Sequence, residues 1–158
     1  MDPRSSQLFA PLLAVLAGLM AIPAVHGAVT GDEEAGRAFL YSGLFTAFAA
    51  ATLGAAIGEE RRLPQAQSEL LTLLVAWLAI PAFAALPLVF LTPSIGYTGA
   101  WFEMVAAFTT TGSTAYIAPA RVPDEVHLWR GIVSWLGGLV TLLAAFVILA
   151  PRSLGGFE

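Results

Sequence analysis

The stretch that decides the fold reads Gly99-Ala-Trp-Phe-Glu-Met-Val-Ala-Ala-Phe-Thr-Thr-Thr-Gly-Ser113. Its first part, 99–108, is apolar apart from one glutamate and has the composition of a short helix. At about 1.5 Å per residue, such a helix is too short to cross a hydrocarbon core about 30 Å thick. Its second part, 109–113, consists of small polar residues that suit a turn. This order of elements predicts a re-entrant segment, which enters the membrane and turns back.

The composition of the whole chain identifies lipid as its solvent. The sequence is 58% hydrophobic and 11% charged, with a mean hydropathy of +0.79, whereas a typical soluble domain is about 25% charged. The net charge of −4 argues against nucleic acid as a partner. Because the chain has no cysteine and only two histidines, disulfides and thiolate sites are excluded and a His-rich metal site is not expected.

Uncharged runs between clusters of charged residues define the candidate spans. Three runs have the length of one helix that crosses a bilayer, and they cover residues 8–25, 38–58 and 131–151. The remaining run, 70–102, is too long for one span and too short for two spans with a turn. We predict a spanning helix at about 69–91, kinked by Pro81, and then a loop at 92–98 ahead of the short helix.

Loop charges predict the orientation. The loop at 59–69 holds Arg61 and Arg62, whereas the first loop is acidic, with Arg37 as its one base. The positive-inside rule then places the 59–69 loop and both termini in the cytoplasm, although Arg121 and Arg130 fall outside. The first run has an alternative as a cleaved signal peptide. Against that alternative, the opening Met-Asp-Pro-Arg has no net charge, and further spans follow.

Residues 109–113 carry the chemistry that we expect of this chain. Non-helical backbone at membrane depth is tolerated only inside protein or against water, and a cation filter supplies a reason for it. Carbonyl oxygens, helped by threonine hydroxyls, replace the hydration shell of an ion in such filters. Gly112 can adopt φ > 0, which turns a carbonyl toward a central axis, and the C-terminal end of the preceding helix favours a cation. The alternative is a polar turn in external water.

The predicted fold class is an all-α membrane protein with four transmembrane helices plus one short re-entrant pore helix and filter loop. Two leading transmembrane helices occupy residues 1–62, and one helix–pore helix–filter–helix repeat occupies residues 63–158. No second hairpin of this kind follows in the sequence. Since one hairpin cannot encircle an ion, three outcomes stay open: four copies assemble, another chain supplies the missing repeats, or the chain is a truncated product that does not conduct.

Four short motifs follow one another in the second half of the chain. They are Phe102-Glu103, Phe108-Thr109-Thr110-Thr111-Gly112-Ser113, Leu128-Trp129-Arg130 and Trp135-Leu-Gly137-Gly138. In order and spacing they resemble the first pore repeat of the Trk/Ktr/HKT potassium transporters. The resemblance covers about 93–158, while residues 1–60 match in kind the leading helices of the bacterial Trk branch, so it is limited to the N-terminal part of such proteins. One departure is Leu139-Val140-Thr141, where the family usually continues with Met-Gly.

The resemblance implies a subunit for potassium uptake in the bacterial inner membrane, whose pore combines four such repeats. The residues of the implied filter quarter are Thr109, Thr110, Thr111, Gly112 and Ser113. Bound K⁺ is implied at Thr110, Thr111 and Gly112, and Gly112 suggests potassium because a serine at this position goes with sodium preference in plant relatives. The family also implies a cytoplasmic nucleotide-binding regulator as a partner, and no cofactor besides the transported ion.

Two charged residues and three tryptophans surround this segment. A charge at membrane depth costs about 3 kcal/mol and usually has a partner, so we predict a pair between Glu103 and Arg130 that ties the pore helix to the last span. The alternative is that both face external water. The tryptophans, Trp101, Trp129 and Trp135, are interpreted as an interfacial aromatic belt rather than a cation–π site.

The sequence carries no catalytic constellation, and we expect no enzyme activity. It lacks Gly-x-Ser-x-Gly, His-Glu-x-x-His and a phosphate-binding glycine-rich loop. Two function classes follow from these observations. The first is a potassium conductor or a subunit of one, and the second is a non-conducting member of the family that acts as an assembly partner or is a remnant.

Overall fold

The computed structural model describes residues 3–56 and 77–149, and the regular structure in those ranges is helical. The helices are α1 (Pro3–Leu19), α2 (Ala21–Thr30), α3 (Glu33–Ala56), α4 (Trp77–Leu91), α5 (Gly96–Phe108) and α6 (Asp124–Leu149). Short 3-10 turns, Pro93–Ile95 and Pro119–Arg121, precede α5 and α6. The predicted loop that carries Arg61 and Arg62, and the tail from residue 150 onward, lie outside the described residues.

The leading helices form a tight hairpin. A turn at Met20 separates α1 from α2, and the apolar segment Phe9–Thr30 runs further than the predicted 8–25. Gly31, with φ +87°, ends α2, and the Asp32 carboxylate accepts a hydrogen bond from the Ala35 amide at 2.9 Å in the first turn of α3. A Cβ on Gly27 would lie 2.8 Å from the Gly36 nitrogen, so two glycines allow α2 and α3 to pack backbone to backbone.

Two of the described helical segments, Phe9–Thr30 and Glu33–Ala55, are long and apolar enough to cross a membrane. A third span is added if α4 and the segment Pro93–Phe108, which are bent by 116°, are counted as one. The chain is therefore a helical membrane protein. The predicted total of four transmembrane helices plus a re-entrant helix stays a prediction.

Helix α5 runs back along α4. It begins at Gly96, ahead of the predicted start at Gly99. Later residues of α5 contact earlier residues of α4, which is the pattern of a helical hairpin. The contacts are Tyr97 Oη to Ala82 O at 3.3 Å, Trp101 Nε1 to Leu78 O at 3.4 Å, and the Phe108 and Trp77 rings, edge to face at 5.7 Å. The end of α5 thus lies at the level of Trp77.

Helix α4 is interrupted at Ala85, and the kink that the sequence predicts at Pro81 stays a prediction. Helical geometry continues through Pro81, and a turn at Ala85 precedes the segment Leu86–Leu91. Pro87 stands in the first turn of that segment, where its missing N–H is tolerated because first-turn amides have no intrahelical partner. The second proline therefore marks the restart of the helix.

Trp129 joins the leading helices to the rest of the molecule. Its side chain is fully buried, its Nε1 donates to Ala84 O at 2.8 Å, and its ring packs edge to face on Phe39 at 5.8 Å. The prediction of an interfacial belt is wrong for Trp129, because the residue lies in the core between α3, α4 and α6. Trp135, in contrast, is exposed.

A buried carboxylate fastens α6 to α2. Glu125, in the first turn of α6, is almost fully buried, and its Oε1 lies 3.0 Å from His26 Nδ1. The same oxygen accepts a hydrogen bond from Thr30 Oγ1 at 3.3 Å. Both partners come from α2, so the bonds of this carboxylate cross from the predicted leading unit to the predicted pore repeat.

We expect Glu125→Gln to lower the stability of the protein by about 1–2 kcal/mol, since it weakens a buried hydrogen bond to a charged acceptor. The matched control is Glu33→Gln. The Glu33–Arg37 pair, at 3.6 Å, is solvent-exposed, and exposed pairs contribute little. Thermal unfolding of the purified protein in detergent measures both changes, and equal shifts for the two variants would contradict the role given to Glu125.

Candidate functional site

The turn that follows α5 closes the helix with a Schellman motif. The Thr111 amide donates to Ala106 O at 3.0 Å, and the Thr110 amide donates to Ala107 O at 2.9 Å. This is the 6→1 and 5→2 pair that ends many helices. Thr110 occupies the left-handed position, with φ +58°, where glycine is the usual residue. The carbonyls of Val105, Ala106 and Ala107 accept hydrogen bonds from the amides of this turn.

Thr110 is under backbone strain. A β-branched residue with φ > 0 is an outlier, because its Cβ crowds the following carbonyl. Such residues cluster at functional sites, where the surrounding structure holds them in place. Thr110 Oγ1 has no hydrogen-bond partner within the part of the chain that the structure describes, so the strain is not offset by a bond from this hydroxyl.

The neighbouring hydroxyls bind back to the helix end. Thr109 Oγ1 donates to Val105 O at 2.7 Å, and Thr111 Oγ1 donates to Ala106 O at 3.2 Å. The two hydroxyls also lie 3.2 Å apart. These bonds hold the turn against the end of α5. Both hydroxyls are therefore engaged with the helix.

The main-chain carbonyls of residues 109–112 accept no hydrogen bond from any described residue. Thr110, Thr111, Gly112 and Ser113 are exposed, and Thr109 is half-buried. Gly112 has φ +72°, the positive φ that we expected there, and a Cβ added to it would meet nothing within 4 Å. A run of unpaired carbonyls on an exposed turn can coordinate a cation.

Gly137 brings α6 into direct contact with the end of α5. A Cβ at this position would lie 1.8 Å from Phe108 O, closer than any real Cβ contact. Helix packing at the Trp-x-Gly-Gly motif is therefore tight, although Leu139-Val140-Thr141 departs from the family's pattern directly afterwards. The neighbouring Gly138 has open space around it, so only the first glycine of the pair is required by this contact.

The structure brings Glu103 and Arg130 together. Arg130 Nε lies 3.1 Å from Glu103 Oε2, and the glutamate side chain is fully buried. Arg130 Nη2 also donates to Ser113 O at 3.3 Å. On the other side, Glu103 Oε1 accepts hydrogen bonds from Thr114 Oγ1 at 2.6 Å and from the Ala115 amide. The carboxylate is thus surrounded by the turn as well as by α6.

Three residues of this site were not assigned a role from the sequence. Thr114 and Ala115 contact Glu103, and Phe108 supplies the carbonyl that faces Gly137. A threonine and an alanine after a filter-like stretch carry no signal of their own, because each is equally at home in any turn. Among the described residues no group of three or more His, Cys, Asp or Glu is placed to hold a metal ion.

We expect Thr110→Gly to raise the stability of the protein by about 1 kcal/mol, because glycine adopts φ > 0 without the 1–2 kcal/mol cost of a Cβ. Thr109→Gly is the control. Thr109 has φ −81° and a bonded hydroxyl, so the same substitution there should destabilise. Unfolding midpoints in detergent measure the stability of both variants. A loss of stability in Thr110→Gly would contradict the inference that Thr110 is strained.

Comparison with known proteins finds Trk system potassium uptake proteins among the relatives of this chain, although no protein-family model matches it. The chain is 39% identical over 158 residues to the Trk system potassium uptake protein TrkI of Halomonas elongata, a match that covers 96% of this chain and 31% of that protein. It is 28% identical over 152 residues to the Trk system potassium uptake protein TrkH of Escherichia coli strain K12, covering 93% of this chain and 30% of TrkH. The chain is a homologue of the Trk potassium uptake proteins.

This homology confirms the predicted resemblance. An uncharacterized cation transporter of Methanocaldococcus jannaschii is a further relative, 32% identical over 76 residues, which is 48% of this chain and 16% of that protein. The Trk homologue spans about a third of the length of the curated relatives that match nearly all of it. The activity of a whole Trk protein therefore enters only as a proposal.

Proposed function

We propose that this Trk homologue takes part in potassium uptake across the bacterial inner membrane and forms one wall of the ion path. The ion-facing backbone in this proposal is Thr109–Ser113, with K⁺ at Thr110, Thr111 and Gly112. The observation that carries it is that the carbonyls of residues 109–112, on an exposed turn at the end of α5, accept no hydrogen bond from residues 3–56 or 77–149.

The proposed membrane arrangement has four spans, a re-entrant α5 and both termini in the cytoplasm. Helix α6 is uncharged from Gly131 to Leu149, and this supports its proposed role as the fourth span. Its Gly137 contacts the end of α5, and at about 1.5 Å per residue it lies about 10 Å past Arg130 along the helix. The turn would then lie inside the membrane, where unpaired carbonyls need an ion, water or protein.

The chemistry of the turn favours a weakly hydrated monovalent cation. Carbonyl dipoles replace the water shell of potassium, and the C-terminal end of α5 adds a partial negative charge toward the turn. The hydroxyl of Thr110 is free among the described residues to add a further oxygen, whereas those of Thr109 and Thr111 bind α5. Gly112 in place of serine favours potassium over sodium, by the family resemblance.

One turn supplies oxygens from one side, so the proposed pore needs further repeats besides the one in residues 63–158. A cytoplasmic nucleotide-binding regulator is a proposed partner. The proposed role needs no enzyme chemistry and no cofactor, since potassium is the transported substrate. In this proposal, residues 1–62 form the leading unit and 63–158 the pore repeat, with Glu125 linking the two.

The test is growth of a potassium-uptake-deficient bacterium on low potassium, with the full chain expressed alone and its amount in the membrane measured. Growth that depends on the chain supports conduction by its own assemblies. No growth at a normal membrane level would refute conduction by the chain alone. Co-expression with the remaining repeats of a Trk relative then separates a subunit, which restores growth, from a non-conducting assembly partner, which does not.

A further inference from the structure

The buried carboxylate of Glu103 accepts its hydrogen bonds from residues outside the helices. Oε1 accepts from Thr114 Oγ1 at 2.6 Å and from the Ala115 amide. Both donors belong to the segment that leaves the turn, residues 113–115, which we call the exit strand. Thr114 Oγ1 in turn accepts from the Tyr116 amide at 3.1 Å. The described exit strand has no β-partner, and its Ala115 amide bonds the Glu103 side chain instead.

Arg130 holds the same strand from α6. Its Nη2 donates to Ser113 O at 3.3 Å, while its Nε lies 3.1 Å from Glu103 Oε2. The Nε contact is an ion pair without hydrogen-bond alignment, because Oε2 has no hydrogen-bond partner among the described residues. Glu103 is fully buried and the Arg130 side chain is mostly buried, so each charge offsets the desolvation of the other.

Linking α5 to α6 is not enough to explain the contacts that Glu103 and Arg130 make. The two helices already meet at Gly137 and Phe108 with no room for a Cβ. The aligned hydrogen bonds of Glu103, and the one from Arg130, all go to consecutive residues of the exit strand. Buried carboxylates are costly unless their oxygens are bonded, so the position of this carboxylate determines where the strand can lie.

We propose that Glu103 and Arg130 are positioning residues that clamp the exit strand and so orient the Gly112–Ser113 peptide. Glu103 bonds Thr114 and Ala115, and Arg130 bonds the Ser113 carbonyl. The consequence for ion selection rests on the proposed function, whereas the clamp itself does not. An ordered exit strand keeps the carbonyls of 109–112 at one spacing, which a filter needs to distinguish cations by size.

Hydrogen exchange of the full chain in detergent tests the clamp without any need for transport. In Glu103→Gln and in Arg130→Gln, the Ala115 amide should exchange about tenfold faster, because a lost charged bond opens the strand locally. Peptides from α3 should keep their exchange rates. Unchanged exchange over 113–118 in both variants would overturn the proposal, and so would equal acceleration in α3.

Two further variants separate the clamp from a general effect of burial or charge. Glu125→Gln changes a carboxylate that is also buried but faces α2, and it should leave exchange over 113–118 unchanged. The double reversal Glu103→Arg with Arg130→Glu restores an ion pair but places no acceptor beside Ala115, so protection should stay lost. Protection restored by the reversal, or lost in Glu125→Gln, would show that Glu103 acts only as a buried charge.

A transport measurement distinguishes failure of the clamp from failure of the proposed function. Where the chain supports growth on low potassium, Glu103→Gln should reduce the preference for Rb⁺ over Na⁺ uptake, and Glu103→Asp should retain part of it. Faster exchange with an unchanged ion preference would overturn the selectivity role and leave the strand contacts standing. Absence of transport in the wild type, expressed alone and together with the remaining repeats of a Trk relative, would count against the proposed function and would leave the clamp standing.

Discussion

Gly137→Ala is expected to destabilise the protein by about 3 kcal/mol, the largest effect that we predict for a single methyl group. The added Cβ would lie 1.8 Å from Phe108 O and 2.6 Å from its carbonyl carbon. Both are backbone atoms at the end of α5, which cannot turn aside as a flexible side chain can. Helix α6 must move away from α5, and packed interiors tolerate such overpacking poorly.

The neighbouring glycine is a matched control. A Cβ on Gly138 meets nothing within 4 Å, and alanine is favoured over glycine in a helix by about 1 kcal/mol. Gly138→Ala should therefore be as stable as the wild type or more stable. Unfolding midpoints and the amount of folded protein in the membrane measure the contrast. Equal behaviour of the two variants would mean that α6 does not approach Phe108 as closely as the structure shows.

Gly112→Asp is expected to abolish growth on low potassium while leaving most of the protein folded. The position has φ +72° and open space around it, so a side chain costs about 1–2 kcal/mol of backbone strain and creates no clash. The carboxylate would stand beside the carbonyls of residues 109–111, which accept no hydrogen bond from the described part of the chain. A fixed negative charge there binds a cation too tightly for release, and conduction requires both entry and exit.

Gly31→Asp controls for the strain of this substitution. Gly31 also has a left-handed φ, +87°, and open space around it, but it lies in the turn between α2 and α3. The two variants should have similar membrane levels, and only Gly112→Asp should fail in the growth assay, run under conditions in which the wild type supports growth. Growth supported by Gly112→Asp would remove residues 109–113 from the ion path.

Much of the helical architecture was predictable because lipid restricts what a chain can do. A spanning segment must bury its backbone bonds in a helix, so uncharged runs predicted α3 and the apolar segment Phe9–Thr30, with errors at the ends and without the turn at Met20. The turn after Phe108 was predictable from its small polar residues, and the positive φ of Gly112 from the missing Cβ of glycine. The left-handed Thr110 was not, since a β-branched residue gives no local signal for that conformation.

Contacts between distant residues set the limit of such reasoning. The proximity of Glu103 and Arg130 was expected from the cost of unpaired charge, but the bonds from Thr114 and Ala115 to the same carboxylate were not. His26 and Glu125 are 99 positions apart, and neither is marked by a motif. Trp129 was assigned to an interface from its residue type, although its surroundings place it in the core.

The sequence by itself determined that this chain is a helical membrane protein related to the Trk transporters, and where its polar turn lies. Charge clusters and apolar runs act locally along the chain, because each helix satisfies its own backbone. Only the tertiary structure decided how the turn after Gly99–Phe108 is held. Its support comes from a carboxylate on α5, a guanidinium on α6 and a glycine that admits Phe108. These groups meet only after the hairpin folds back on itself, which no local pattern specifies.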